Sequence, residues 1–149
     1  MSLAEGEVTK SLFFSYGHRL ATHPGKCKTL HGHNARVDVT VAGPIDGATG
    51  MVIDFGDFTP LRKWLDATYD HKMLLHASDP IVPGLIQLEL ESRISLGLCL
   101  LEFPPTAENL ARNILSNSRS LLGGPGSLGA RVVRVQFWET AGSLASVGA

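Results

Sequence analysis

Two runs of alternation constrain this chain more than any other feature. From His31 to Val41 the odd positions are His31, His33, Ala35, Val37, Val39 and Val41, with Arg36, Asp38 and Thr40 between them. Side chains of an extended strand point to opposite faces with a period of two, so the run predicts a strand with one apolar face. Earlier, Leu12, Phe14, Tyr16, His18 and Leu20 share one parity, while Ser11, Ser15 and Arg19 hold the other. That predicts a preceding strand with His18 on its apolar face. Ala21–Leu30, between the two, holds Pro24, Gly25 and two lysines and reads as a loop.

Downstream, Gly43–Gly50 reads as a turn and Met51–Phe55 as a short third strand. Thr59-Pro60 offers an N-cap followed by proline at the first helical position. Phe58, Leu61 and Leu65 carry a helical stripe to about Tyr69. A second helix is expected from near Thr106, with Pro104 and Pro105 just outside it. Ala107, Leu110, Ala111, Ile114 and Leu121 give its buried face, and Gly123-Gly124-Pro125-Gly126 its end. The last strand spans Arg131–Thr140, with Val133, Val135, Phe137 and Glu139 on one face. Between Ala77 and Phe103, Ile86, Leu88 and Leu90, then Ile94, Leu96, Leu98 and Leu100, alternate as in a hairpin, although leucine serves a helix equally well. With no internal repeat and no low-complexity linker, residues 1–149 are expected to form one domain, in which 77–103 is an insert. The element order predicts an α+β fold: an antiparallel sheet with two helices packed on one face.

Composition closes off several functions. The chain has 149 residues, 44% of them hydrophobic and 18% charged, which suits a folded domain with a proper core. A net charge of −1 with no run of like charges lacks the basic face of a nucleic-acid binder. Met1–Lys10 carries Glu5 and Glu7 and no apolar core, so no secretory leader is expected. The longest apolar stretch, Leu96–Leu101, is too short to span a membrane. Cys27 and Cys99 form no Cys-x-x-Cys pair, which fits a cytoplasmic protein with free thiols. The apolar surplus hints that other subunits cover part of the surface.

The chemistry centres on His31-Gly32-His33. Residues two apart in a strand point the same way, with roughly 6.6 Å between their α-carbons. Two imidazoles so placed can converge on one ion, at about 2.0–2.1 Å from each nitrogen. His18, on the apolar face of the preceding strand, can supply a third ligand. Three neutral nitrogens and an open position describe a catalytic zinc site rather than a structural one. Taken singly, each histidine would read as a hydrogen-bonded, semi-buried residue. Cys27 lies between two lysines, which lower a thiol's pKa. It can be a base, a nucleophile, a fourth zinc ligand or an ordinary exposed thiol; Cys99 reads as core. Asp70-His71 can be a proton-transfer pair or a helix C-terminal cap. Glu139 continues the apolar parity of its strand. It either points inward, needing a ligand with paired N–H donors, or reaches solvent. His23 and His76 are expected on the surface.

Together these pieces resemble the 6-pyruvoyl-tetrahydropterin synthase / 6-carboxy-tetrahydropterin synthase family. The matching segments are His18-Arg19-Leu20, Gly25-Lys26-Cys27, Leu30-His31-Gly32-His33-Asn34, Met51-Val52-Ile53-Asp54-Phe55, Asp70-His71-Lys72, Pro105-Thr106-Ala107-Glu108-Asn109 and Glu139-Thr140, in family order. The resemblance implies a tunnelling fold, in which the sheets of several subunits close into a barrel, with a homo-hexamer as the assembly and active sites at subunit interfaces. It implies zinc held by His18, His31 and His33, with Cys27 as the proton-abstracting thiol assisted by Asp70 and His71. Glu139 would anchor the pterin's amino-pyrimidine edge, and Thr106 and Glu108 would fall in a second pterin-contacting motif. The implied substrate is 7,8-dihydroneopterin triphosphate, with Arg19, Lys26 and Lys28 as candidates to meet the triphosphate. One branch of the family makes the 6-pyruvoyl product. The other, favoured here, releases acetaldehyde and triphosphate and leaves 6-carboxy-5,6,7,8-tetrahydropterin, a precursor of 7-deazapurines such as queuosine. A non-catalytic pterin- or metal-binding relative is the reading from another class. The chain departs from the family pattern in Ser15-Tyr16-Gly17, where small residues are usual, and in the length of 77–103.

Overall fold

A computed structural model describes residues 4–122 and 129–148. The two alternating runs form long strands, β1 (Glu5–His18) and β2 (His31–Pro44), paired antiparallel from Glu5↔Pro44 to His18↔His31. The remaining elements are α1 (Thr59–Thr68), β3 (Lys72–His76), α2 (Val82–Ser92), β4 (Leu98–Leu101), α3 (Ala107–Leu122), β5 (Arg131–Thr140) and β6 (Ser143–Gly148). The six strands make one sheet in the order β4-β3-β1-β2-β5-β6. The α+β class stands, and the single chain has the subunit topology of the tunnelling fold that the resemblance implies.

The apolar parities of β1, β2 and β5 meet the stripes of α1 and α3 in one core. Leu12, Phe14, Val37, Val39, Val135 and Phe137 pack there against Leu61 and Leu65 of α1 and Leu110 and Ile114 of α3. The opposite face of the hairpin is polar and largely satisfies itself. The Asp38 carboxylate accepts from Ser11 Oγ at 2.6 Å, Arg36 at 3.0 Å and Trp138 Nε1 at 3.0 Å, and the Thr9 and Thr40 hydroxyls lie 2.9 Å apart.

Several expectations are corrected. Met51–Phe55 is not a strand. The Asp54 side chain accepts from Gly56 N at 2.6 Å and opens a one-turn 3-10 helix, Phe55–Phe58, that runs straight into α1. Thr59 is therefore inside the helical run and not its N-cap, although Pro60 does sit in the first turn. Residues 77–103 form no hairpin: Ile86, Leu88 and Leu90 belong to α2, and Leu98 and Leu100 to β4. The sheet is accordingly mixed, because β3 pairs parallel with β1 and β4 parallel with β3. Parallel neighbours need a crossover of a dozen or more residues, and α2 is the crossover between β3 and β4. There are thus three helices among the described residues rather than two.

Smaller shifts follow from single residues. β1 ends at His18, before Leu20, and β2 runs through Gly43 and Pro44. On α3, Leu122 is buried and Leu121 exposed. On β5, a bulge opposite Thr40/Val41 inserts one residue and reverses the parity behind it, so Val132 rather than Val133 faces the core. The Gly123–Gly126 helix stop lies outside the described residues. Among the described residues no helix is long and apolar enough to cross a membrane.

Phe137 is fully buried and meets Phe14 and Tyr16 edge-on. Phe137→Ala is expected to lower unfolding stability by about 3–5 kcal/mol. Leu90→Ala, at a site 75% exposed on α2, should change it by less than about 0.5 kcal/mol. Urea titrations of both variants check the pair.

Candidate metal centre and active site

The closed end of the β1–β2 hairpin builds the centre. The register sets His18 opposite His31 and Tyr16 opposite His33, with all four on one parity. His18 Nε2 lies 3.0 Å from His31 Nε2 and 3.2 Å from His33 Nε2, and the three ligand atoms fall within 4.8 Å of one another. Backbone carbonyls fix the rings from behind. His18 Nδ1–H donates to Pro105 O at 2.8 Å, and His31 Nδ1–H to Thr29 O at 2.7 Å. With the proton on Nδ1, each neutral ring turns an Nε2 lone pair toward the other. Lone pairs so close repel unless a cation lies between them. Donors on a tetrahedral ion with bonds of 2.0–2.1 Å stand about 3.3 Å apart, near the observed spacing. The residues therefore fit a divalent metal, and an all-imidazole set suits zinc.

Burial holds His18 below the ordinary histidine range; the Pro105 carbonyl and the Glu139 charge oppose it, and the neighbouring imidazoles add to it. His33 is lowered chiefly by burial as well. Both rings are thus biased toward the neutral form that ligates metal.

Glu139 joins this centre. Its Oε1 lies 3.4 Å from His18 Nε2 and 3.5 Å from His33 Nε2, and it accepts from the Tyr16 hydroxyl at 3.1 Å. A second bulge explains the aim. β5 pairs with β6 at Trp138↔Leu144 and then at Thr140↔Ser143, which leaves Glu139 as the extra residue. Its carboxylate borders a cavity of about 380 Å³ with Leu20, Thr106, Glu108, Ser143 and Leu144. Thr106 and Glu108 are thus brought to Glu139. Thr106 Oγ1 also accepts from Asn109 N at 3.2 Å, at the start of α3.

Asp70 and His71 face each other despite being adjacent, because His71 adopts a left-handed φ of 57°. Asp70 Oδ2 lies 3.0 Å from His71 Nδ1, and Asp70 Oδ1 accepts from Ser15 N at 3.0 Å. The Ser15 N–H, then His71 and Arg62, hold the Asp70 carboxyl below the usual carboxylate range. His71 is exposed and borders a cavity of about 420 Å³ with Ser15, Tyr16, Gly17, Gly32, His33 and Asn34. Cys27, half-buried, sits in a 3-10 turn, Lys26–Lys28. Among the described residues no hydrogen bond or ion pair links Asp70 or His71 to Cys27 or to the histidine cluster.

Some participants went unread in the sequence. Arg19 is tied down: its Nε donates to the buried Asp79 at 2.7 Å and an NH to Lys28 O at 3.0 Å. His23 and His76 are half-buried, not surface residues, and border a cavity of about 280 Å³ with Arg19, Asp79 and Thr106. The carbonyls of Pro105 and Thr29 left no side-chain signal. Tyr16 did, because it shares the parity of His18.

Comparison with known proteins places this geometry. The profile of the family described as 6-pyruvoyl tetrahydropterin synthase matches residues 7–149. A Rickettsia typhi protein named 6-carboxy-5,6,7,8-tetrahydropterin synthase is 38% identical over 106 residues, covering 70% of this chain and 74% of its own. One of the same name from Aquifex aeolicus is 32% identical over 155 residues, covering 93% and 95%. The solved structure of Caenorhabditis elegans 6-pyruvoyl tetrahydropterin synthase superposes with a TM-score of 0.71 at 20% identity, over 100% of this chain and 99% of that one.

The chain is expected to bind one zinc ion, and His31→Ala or His33→Ala to lose nearly all of it by elemental analysis. The pH sign follows from the lowered histidines. As pH falls through about 6.5, the rings stay neutral in the folded chain, so metal is retained there and released only further into acid. Unfolded chains bind protons first, so the metal-free protein should lose stability below about pH 6.5. Zinc release and unfolding, each followed against pH, check the two halves.

Proposed function

This chain belongs to the 6-pyruvoyl tetrahydropterin synthase family, and from that premise we propose that it converts 7,8-dihydroneopterin triphosphate and water to 6-carboxy-5,6,7,8-tetrahydropterin, acetaldehyde and triphosphate. The observation that carries the proposal is the convergence of three imidazole nitrogens beside the Glu139 carboxylate. The carboxy branch is supported by the names of the relatives at 32–38% identity.

His18, His31 and His33 would hold zinc, which when bound supplies a Lewis acid for the substrate's side-chain hydroxyls. Glu139 accepts the paired N–H donors of the pterin's amino-pyrimidine edge, a charge-assisted contact that fixes the ring. Thr106 and Glu108 border the same cavity. Cys27 Sγ, as thiolate, takes the proton at the substrate side chain. Asp70 holds His71 through Nδ1, so Nε2 is the atom left to pass a proton on. Lys26 and Lys28 flank the thiol and meet the triphosphate.

Among the described residues no hydrogen bond or ion pair joins the exposed Asp70-His71 pair to Cys27 of its own chain, which supports a site shared between subunits. Cys27 of one copy would work with Asp70 and His71 of its neighbour in a homo-oligomer.

Incubating the zinc-loaded protein with dihydroneopterin triphosphate should give acetaldehyde and 6-carboxy-tetrahydropterin in equal amounts. Triphosphate without acetaldehyde would assign the 6-pyruvoyl reaction instead, and no turnover would assign a binding protein. Cys27→Ala should abolish turnover with zinc still bound; joint loss of both would make Cys27 a ligand. Refolding Cys27→Ala mixed with His71→Ala should recover part of the activity. Mixed oligomers, verified by mass spectrometry, that remain inactive would reject the shared site.

A further inference from the structure

Tyr16 stands at the junction of the metal cluster and the carboxylate. The hairpin register places it opposite His33 and two residues before His18 on the same face. Its ring meets His18 edge-on at 5.1 Å and lies tilted against His33 at 5.6 Å, and it meets Phe137, two residues before Glu139, at 5.9 Å. The residue is only 4% exposed. Packing on three sides leaves the ring little freedom, and its hydroxyl ends on Glu139 Oε1 at 3.1 Å.

That oxygen is the one lying 3.4–3.5 Å from two of the imidazole nitrogens. A glutamate in such a place has two competing uses. Carboxylate oxygens are ordinary zinc donors, and 3.4–3.5 Å is close to the spacing of neighbouring donors on one ion, so Glu139 could itself become a fourth ligand. The set whose ligand atoms all lie within 4.8 Å of one another is nonetheless the three histidines without it. A closed set of four protein ligands is the arrangement of structural zinc sites, whereas catalytic sites keep a position open. Held off the metal, the same carboxylate keeps its lone pairs for a ligand's N–H groups. A carboxylate has about four acceptor positions, so one donor on Oε1 leaves room for two more. The buried hydroxyl bonds the oxygen nearest the metal cluster, and the tyrosine ring fixes where that bond can form.

Resting on the reading of Glu139 as the pterin anchor, we infer that Tyr16 is a positioning residue that holds the Glu139 carboxylate beside the metal rather than on it. It thereby keeps the fourth coordination position open and the carboxylate available to the substrate.

Tyr16→Phe removes one oxygen and keeps the ring packing. Replacing zinc by cobalt gives a visible spectrum that reports the ligand set without turnover. In Tyr16→Phe, Glu139 should move onto the metal. The cobalt spectrum should change, and zinc affinity should rise and neopterin affinity fall, each by roughly ten- to a hundredfold, the scale of outer-shell effects at metal sites. Adding Glu139→Gln to Tyr16→Phe should return spectrum and zinc affinity to those of Glu139→Gln alone, which a general loosening of the fold would not do. Parent-like spectrum and affinities in Tyr16→Phe overturn the inference. If Tyr16→Phe folds poorly, Glu139→Gln with Tyr16 intact decides: an unchanged cobalt spectrum supports a carboxylate off the metal, and a changed one overturns it. Should the parent bind no neopterin, the functional proposal fails, while the cobalt and zinc readouts still decide the role of Tyr16.

Discussion

The antiparallel pairing of β1 with β2 runs without a bulge from Glu5↔Pro44 to His18↔His31, and the metal centre is its last rung. Side chains alternate with a period of two, so a slip of one residue would send His31 and His33 to the polar face and bury Asp38 and Thr40 among leucines. The valines and phenylalanines of the core forbid that slip. The same apolar burial that holds the hairpin in register therefore sets the spacing of the three imidazoles. Stability and chemistry share one constraint here.

What surrounds the hairpin supplies aim and charge. Pro105 sits at the approach to α3 and Thr29 in the hairpin loop, yet their carbonyls fix the tautomers of two histidines. Glu139 reaches the cluster from β5, across a bulge that frees it from the ladder. The Arg19–Asp79 pair ties the β3–α2 connection to the loop carrying Cys27. Burial lowers His18 and His33 toward the neutral form that ligates metal, and a carboxylate stands beside them, an arrangement suited to a divalent cation.

The residues between Ala77 and Phe103 show how a pattern can mislead. Ile86, Leu88 and Leu90 alternate in sequence, but on α2 Ile86 and Leu90 share one face with Leu88 opposite, and all three are exposed. Pro83 in the first turn, together with leucine's helix preference, outweighs the alternation. β3 was equally hidden. Lys72–His76 is short, and it is a strand because it lies parallel between the end of β1 and β4. Met51–Phe55 looked like a strand from its composition, and Asp54 turned it by accepting the Gly56 N–H.

By itself the sequence determined the β1–β2 hairpin, both sheet-packing helices, β5 (though not β6, which follows the strand expected to be the last) and the convergence of His18, His31 and His33. Those features depend on periodicities of two and 3.6 and on residues facing each other across one local pairing, which chain order encodes directly. Only the tertiary structure decided the parallel strands, the two bulges on β5, the carbonyls behind the imidazoles and the hydroxyl of Tyr16 on Glu139. Each of these joins groups far apart in the chain, 87 residues for His18 and Pro105 and 123 for Tyr16 and Glu139. A backbone carbonyl carries no side-chain signature, and a bulge shifts parity by one residue without changing composition, so neither can be read before the chain is folded.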